Sequence, residues 1–272
     1  MNLFHRTAYD TSKLITKAYS TSFMLGIRTL SKKFHDPVFG IYGMVRYADE
    51  IVDSFHDFDK KKLLQRFKED TFSAIDDGIS LNPVLHAFQR TVHQYGIDND
   101  LIIAFFNSME MDLEQKNHDP LTYKEYIYGS AEVVGLMCLK VFTENDIALY
   151  QRLEKPARSL GAAFQKVNFL RDIQSDFAER GRVYFPGVDL NEFTLEKKTL
   201  IEKDILKDFE DAYIGIQNLP SSSSKGVMLA YQFYLKLFEK IVKTPADRLQ
   251  ETRIRVPDYQ KAGLMINAML GI

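Results

Sequence analysis

Apolar residues recur at intervals of three and four positions along most of this chain, whereas alternating strand patterns and Asn-Gly hairpin turns are scarce. Such spacing puts the apolar side chains on one face of a helix, so it predicts an all-α fold. We expect helices over residues 10–18, 21–30, 37–55, 59–77, 83–95, 98–115, 122–142, 146–178, 195–218, 223–243 and 257–270.

Two of these helices have specific start signals. Asp36 followed by Pro37 predicts an N-cap with proline at the first helical position. Thr122 with Glu125 fits a capping box. The first signal therefore predicts a helix that begins at Pro37, and the second a helix capped by Thr122.

Length and charge limit the organisation and the partners of the chain. Its 272 residues are 45% apolar, which is enough for a large core, and the breaks between predicted helices are too short to be linkers. We therefore expect a single domain over residues 1–272, a helical bundle. Because 35 Lys and Arg face 37 Asp and Glu, no net positive field attracts nucleic acid, and we expect no nucleic-acid partner.

The cysteine content and the apolar runs bear on the compartment. Cys138 is the only cysteine, so it cannot form an internal disulfide, as expected in a reducing compartment. The N-terminal residues lack the apolar core of a signal peptide, and no run approaches the roughly 20 apolar residues that span a bilayer. We expect a bacterial-type cytoplasmic protein, with shallow contact at the inner membrane face and the oligomeric state left open.

A narrow polar stripe crosses the otherwise apolar helix predicted over residues 37–55. Its side chains follow one another at steps of three or four: Tyr42, Arg46, Asp49 or Glu50, and Asp53. Residues at these steps share one face of a helix. The helix is therefore mostly buried, with carboxylates on one line of its surface.

A second stripe of the same kind lies on the helix predicted over residues 146–178. Its side chains are Gln165, Asn168, Asp172 and Asp176. Large apolar residues flank them on both sides, so the stripe is expected to face the protein interior or a cleft. A solvated face is the usual explanation of such spacing, but it would be wide and rich in lysine and glutamate.

If the two stripes face each other, four carboxylates share one pocket, and repulsion with desolvation should raise their pKa values. Divalent cations relieve that repulsion, and Mg2+ prefers oxygen ligands from one or two carboxylates, water and substrate phosphates. The pattern therefore suits a diphosphate bridged by metal ions. Arg46 and Arg171 lie near the carboxylates and could bind the remaining phosphate charge, although each could equally be a structural ion-pair partner.

The segments around the two stripes are similar to a known family. RYADEIVD and VNFLRDIQSDFAERGRVYFP resemble the two aspartate-rich signatures of the squalene/phytoene synthase family. Similarity extends from YSTSF at Tyr19–Phe23 to LAYQFYLKLFEKI near Tyr234. The resemblance implies an isoprenoid synthase fold, in which helices enclose a central cavity with the aspartate motifs at its mouth.

The resemblance also implies roles for individual residues. The implied metal ligands, for Mg2+ with Mn2+ as an alternative, are Asp49, Asp53, Asn168, Asp172 and Asp176. The implied substrate contacts are Ser20, Ser22, Tyr42, Arg46, Gln165, Arg171, Tyr184, Tyr234 and Arg253. Tyr184 falls in what looks like the family's flap over the site, where it could instead only pack. The four aspartates, Arg46 and Arg171 are the expected catalytic set.

In this family, one allylic diphosphate ionises and the double bond of a second substrate attacks the cation, forming a cyclopropyl diphosphate. A second ionisation then rearranges the ring. Squalene synthases finish with a nicotinamide reductant, whereas phytoene and dehydrosqualene synthases finish by losing a proton. Apolar walls must exclude water from the cations.

The sequence gives hints about the product. Gly135-Leu136-Met137 looks more like phytoene synthases, and no C-terminal anchor of the eukaryotic squalene synthase kind is apparent. Glu132 and Val133 stand where the family usually has small residues, which bears on the cavity lining and hence on tail length. We expect a phytoene synthase that uses two geranylgeranyl diphosphates without NADPH. The alternatives are squalene or dehydrosqualene formation from two farnesyl diphosphates, and a non-catalytic assembly factor, which would be expected to lack the aspartates.

Overall fold

The computed structural model describes residues 1–114, 118–180, 184–188 and 193–249, together with 254, 255, 257 and 263. The described residues contain helices and no strand, which confirms the all-α prediction. In chain order the helices are α1 (Asn2–Tyr19), α2 (Thr21–Thr29), α3 (His35–Ser54), α4 (Lys60–Asp77), α5 (Pro83–Tyr95), α6 (Asn99–Glu114), α7 (Pro120–Ile127), α8 (Val133–Thr143), α9 (Ile147–Arg180), α10 (Leu195–Gln217), α11 (Ser221–Lys243) and α12 (Ala246–Leu249).

Most of the predicted helices are confirmed to within two or three residues at each end, but two differ. Helix α1 begins at Asn2 and is eight residues longer than predicted at its N-terminus. The helix predicted over 122–142 is divided into α7 and α8 by a π turn over Tyr128–Glu132. The helix predicted over 257–270 lies largely outside the described residues.

Both predicted start signals were wrong in detail. Helix α3 begins at His35 with no side-chain cap, because a short 3-10 turn leads into it, and Pro37 sits in a first turn where an N–H has no intrahelical partner. Helix α7 is capped by Asp119, whose carboxylate accepts hydrogen bonds from the backbone N–H groups of Leu121 and Thr122. Thr122 is therefore the third helical residue of the capping box, and its hydroxyl accepts a hydrogen bond from the backbone N–H of Asp119.

Two apolar clusters form the core. The first joins α2 to α6 with α8, and its fully buried members include Phe34, Met44, Phe88 and Phe105. The second joins α7, α9, α10 and α11. Val227 of α11 packs against both clusters, so the two halves meet along this helix.

Helices α3 and α9 are positioned by close contacts of their glycines with neighbouring elements. A Cβ atom at Gly43 of α3 would lie 2.8 Å from the Ser12 hydroxyl of α1. A Cβ atom at Gly161 of α9 would lie 2.6 Å from the carbonyl oxygen of Ala131 in the π turn. Lys166 of α9 holds the other side of that helix through ion pairs with Asp204 and Asp208 of α10.

None of the helices in the described part of the chain combines the length and apolar character that a membrane span requires.

The close contact at Gly161 can be tested against a second helical glycine. Gly161→Ala should lower the free energy of unfolding by about 1–3 kcal/mol, because the added methyl meets rigid backbone atoms. Gly26→Ala is the control, since a Cβ there would lie 3.6 Å from the nearest atom, an ordinary contact. It should leave stability unchanged or raise it by up to about 1 kcal/mol. Urea unfolding followed by circular dichroism measures both, and equal effects would contradict the predicted contact.

Candidate active site

The two aspartate stripes face a common polar pocket of about 360 Å³. Asp49 and Asp53 line it from α3, and Asp172 and Asp176 line it from α9. The predicted arrangement of the stripes, opposed across a cleft, is thereby confirmed. We call this space the polar pocket.

A fifth carboxylate in the polar pocket was missed by sequence reasoning. Asp112 of α6 is 9% exposed, and it accepts hydrogen bonds from the hydroxyls of Tyr126 at 2.8 Å and Tyr184 at 3.3 Å. One signal in the sequence could have found it, because Asp112 stands on the same apolar helix face as Phe105 and Met109. A lone acid on such a face needs polar partners from elsewhere in the fold.

A second cavity, of about 490 Å³, has mainly apolar walls, and we call it the apolar chamber. It lies between the two core clusters and is lined by side chains from α2, α3, α8, α9, α10 and α11. These include Ile27, Val38, Ile41, Val45, Val134, Leu139, Leu160, Phe164, Ile216 and Val227.

The polar pocket and the apolar chamber meet at a neck. Six residues line both cavities: Arg46, Asp49, Ser130, Gln165, Asn168 and Arg171. An amphiphile with an anionic head and an apolar tail could therefore occupy both spaces at once, with its junction at the neck.

Asp49 shows the electrostatic consequence of this arrangement. Burial raises the pKa of Asp49 to about 7, against the nearby positive charge of Arg46, and the neighbouring carboxylates of Asp53, Asp112 and Glu50 add to the rise. The expectation of raised carboxyl pKa values is confirmed at this residue. A group that is half protonated near neutral pH in the absence of a cation is a group that a cation would stabilise in its charged form.

Arg46 is held at the neck by two partners on its outer side. Its Nη2 donates to the Glu50 carboxylate one helical turn along, and its guanidinium lies 4.4 Å from the centre of the Tyr19 ring. Its Nε is buried and has no hydrogen-bond partner among the described residues. Arg46 is thus both an ion-pair partner, through Glu50, and a group with a donor left over at the neck.

Arg171 forms a bidentate pair with the next residue. Its Nε and Nη2 donate to the two oxygens of Asp172 at 3.0 and 2.5 Å. Arg171 is therefore an ion-pair partner, one of the two roles considered for it. It also lies at the neck, so it would be beside any anion bound there.

The predicted contacts from the first part of the chain divide into two groups. Tyr42 and Ser20 line the apolar chamber, and burial raises the pKa of Tyr42 to about 12. Ser20 also caps α2, accepting a hydrogen bond from the backbone N–H of Phe23. Ser22 lines neither cavity. It follows Ser20 by two residues, and two steps along a helix rotate the side chain by roughly 200°.

The two aromatic residues predicted to contact substrate line different cavities. Tyr184 lines the polar pocket and is also packed, with its ring stacked on Phe169 at 4.0 Å. Tyr234 lines the apolar chamber and stacks on Phe164 at 3.8 Å, and burial raises its pKa. Arg253 lies outside the described residues.

Glu132 and Val133, which stand in place of small family residues, line neither cavity. Glu132 accepts a hydrogen bond from Arg158 at 2.6 Å, and Val133 is fully buried in the first apolar cluster. The chamber wall at this point comes from Ala131, Val134 and Gly135 instead. The concern that these two substitutions alter the cavity lining was wrong, because both side chains point away from it.

The residues present fit a divalent cation that shares its ligands with a substrate. The Oδ1 atom of Asn168 is buried at the neck without a hydrogen-bond partner in the described part of the chain, and it adjoins the carboxylates. No cluster of three or more acidic, His or Cys side chains among the described residues could hold an ion by itself. Such a site matches Mg2+, which commonly completes its shell with water and phosphate oxygens.

Comparison with known proteins gives a family match over most of the chain. The family described as squalene/phytoene synthase matches residues 16–260. Presqualene diphosphate synthase of Sinorhizobium fredii is 32% identical over 179 residues, covering 64% of this chain and 61% of its own. The 15-cis-phytoene synthase of Synechococcus elongatus is 26% identical, covering 97% of this chain and 92% of its own.

Solved structures agree on the fold. A dehydrosqualene synthase, determined in complex with a ligand, superposes with a TM-score of 0.81 at 20% identity, covering 98% of this chain and 97% of that one. The phytoene synthases of Solanum lycopersicum and Narcissus pseudonarcissus are longer, and the chain spans about three fifths of their length. The match to the Sinorhizobium enzyme likewise spans about three fifths of that protein.

The raised pKa of Asp49 predicts that Asp49→Asn stabilises the cation-free protein at high pH. In the unfolded chain Asp49 ionises near 3.8, whereas in the fold it ionises near 7. Between these values the folded state retains a proton that the unfolded state has lost, so the wild type loses stability as pH rises. Urea unfolding in EDTA should find Asp49→Asn more stable than the wild type by about 4 kcal/mol at pH 8 and nearly equal at pH 4. A difference that does not change with pH would contradict this account.

Proposed function

The chain belongs to the squalene/phytoene synthase family, and from this we propose that it joins two prenyl diphosphates head to head. The observation that carries the proposal is the neck, where a pocket with five carboxylates opens into an apolar chamber. A substrate with a diphosphate head and a hydrocarbon tail matches both spaces. The isoprenoid synthase fold expected from the sequence agrees with the superposition on the dehydrosqualene synthase.

The chamber would hold the two hydrocarbon tails and keep water from the reacting carbons. Its walls at the level of the neck are Phe164 and Tyr234, stacked on each other, with Phe23 against the Tyr234 ring. A carbocation formed beside these rings would face π-electrons and aliphatic groups and no bulk water.

The polar pocket would bind the diphosphates. Arg46 has an Nε donor at the neck with no partner among the described residues, and the Arg171 guanidinium lies at the same neck, where it would contact an incoming phosphate. Arginine donors placed where the leaving group gains charge lower the barrier to ionisation.

We propose Mg2+, with Mn2+ as an alternative, as the metal of this site. Asp49, Asp53, Asn168, Asp172 and Asp176 would hold it, since all five line the polar pocket. When bound, such ions neutralise the negative charge that develops on a departing diphosphate.

For the substrates we propose two geranylgeranyl diphosphates and for the product phytoene, without a nicotinamide cofactor. Support comes from the similarity to the Synechococcus phytoene synthase over nearly its whole length. The second candidate is condensation of two farnesyl diphosphates to squalene or dehydrosqualene, which the Sinorhizobium presqualene diphosphate synthase favours because it has the higher identity. A non-catalytic assembly factor is disfavoured, because all four predicted aspartates face the pocket.

Product analysis tests this proposal. Purified protein with Mg2+ is incubated with farnesyl or geranylgeranyl diphosphate, with and without NADPH, and the extracted hydrocarbon is identified by mass spectrometry. We expect phytoene from geranylgeranyl diphosphate, independent of NADPH and absent when EDTA removes the cation. A product from farnesyl diphosphate alone would select the second candidate. No product from either substrate would contradict the proposal.

Asp172→Asn tests the carboxylates directly. It should lower turnover by at least about a hundredfold, because the amide is a weaker cation ligand and carries no charge. The far-ultraviolet circular dichroism should stay that of the wild type, since the substitution keeps the side-chain shape. Asp77→Asn, at an exposed position of α4, is the matched control and should keep full activity. Wild-type turnover in Asp172→Asn would overturn its assignment to the site.

A further inference from the structure

Ser130 lies at the neck but belongs to neither aspartate stripe. It lies in the π turn between α7 and α8 and lines both the polar pocket and the apolar chamber. Its hydroxyl oxygen is buried and has no hydrogen-bond partner among the described residues. A buried hydroxyl without a partner is costly to a fold, so its presence points to an interaction that forms only with a ligand.

Two buried hydroxyls on the helices that adjoin the π turn behave differently. Ser108 of α6 donates to the carbonyl oxygen of Phe105 at 2.7 Å, and Thr143 of α8 donates to that of Leu139 at 2.9 Å. Such bonds to the preceding turn are the usual arrangement for these side chains in helices. Ser130 makes no such bond to a described residue, so its hydroxyl remains available to a ligand at the neck.

The π turn fixes where Ser130 points. A Cβ atom at Gly129 would lie 2.4 Å from the carbonyl oxygen of Ala104, so α6 presses on one side of the turn. Gly161 of α9 presses on the other side, against Ala131. Glu132 at the end of the turn is tied to Arg158. With its neighbours held in this way, Ser130 has little freedom to turn from the neck.

Two further buried atoms without partners belong to residues of the same neck. They are Nε of Arg46, which is a donor, and Oδ1 of Asn168, which is an acceptor. Oxygen atoms of an anion would accept from Arg46 and Ser130, while Asn168 can serve a cation or water. The two donors are therefore complementary to the anionic end of an amphiphile, and the Asn168 oxygen is complementary to a cation or water bound beside it.

We propose that Ser130 is a substrate-binding residue whose hydroxyl donates a hydrogen bond to the diphosphate, at the end that joins the prenyl chain. That end must lie at the neck, because the tail fills the apolar chamber and the head fills the polar pocket. The inference rests on the proposed function and adds a neutral donor to the charged groups already placed there.

Ser130→Ala tests the proposal by binding and by stability together. Calorimetry with geranylgeranyl thiodiphosphate and Mg2+ should show about tenfold weaker binding, the size expected for one hydrogen bond to a charged acceptor. The melting temperature without ligand should not fall, because the hydroxyl has no partner in the free protein. Ser130→Thr, which restores the hydroxyl, should recover most of the affinity.

Ser108→Ala is the matched control, since Ser108 packs against the same π turn from α6 but lines neither cavity. It should bind the thiodiphosphate within about twofold of the wild type while losing the hydrogen bond to Phe105. Wild-type affinity in Ser130→Ala would overturn the assignment of Ser130 and leave the proposed function intact, and so would an equal loss in both variants. If the wild type itself fails to bind the thiodiphosphate, the proposed function fails and this inference fails with it.

Discussion

Carboxylates held inside an apolar helical core are the constraint on which the rest of this structure depends. Burying ionised groups without partners is costly, and here they are brought close enough for the pKa of Asp49 to rise to about 7. The two helices that carry them are held in place by glycine contacts on α3 and α9 and by the Lys166 ion pairs to α10. The free energy of unfolding is therefore lower than it would be with neutral side chains in the polar pocket, as is common at binding sites.

Much of this arrangement could be predicted from the sequence, because helical periodicity is a local property. The steps from Asp49 to Asp53 and from Asp172 to Asp176 place each pair on one face whatever the tertiary fold. Most helix ends followed from the same pattern. That the two faces oppose each other depends on the tertiary fold, and the polar pocket confirms it.

What could not be predicted depends on contacts between distant segments. Asp112 is the one acid on the apolar face of α6 formed by Phe105 and Met109, and only the tertiary fold brings Tyr126 and Tyr184 to it. The π turn has no sequence signature, so the placement of Ser130 at the neck could not be foreseen. Glu132 was expected to alter the cavity lining because the family usually has a small residue there, but the turn directs its side chain to Arg158. The spacing of apolar residues predicts which way a side chain points in a regular helix. It does not predict this where the helix is irregular.

The central claim is that the opposed carboxylates bind divalent cations together with a diphosphate at the mouth of the apolar chamber. Crystals soaked with Mn2+ and a prenyl thiodiphosphate, measured at the manganese absorption edge, locate the ions directly by their anomalous signal. We expect peaks within coordination distance of Asp49 or Asp53 and of Asp172 or Asp176, with phosphate density between them and the tail in the chamber. Ligand density elsewhere, with no anomalous peak in the polar pocket, would contradict the account.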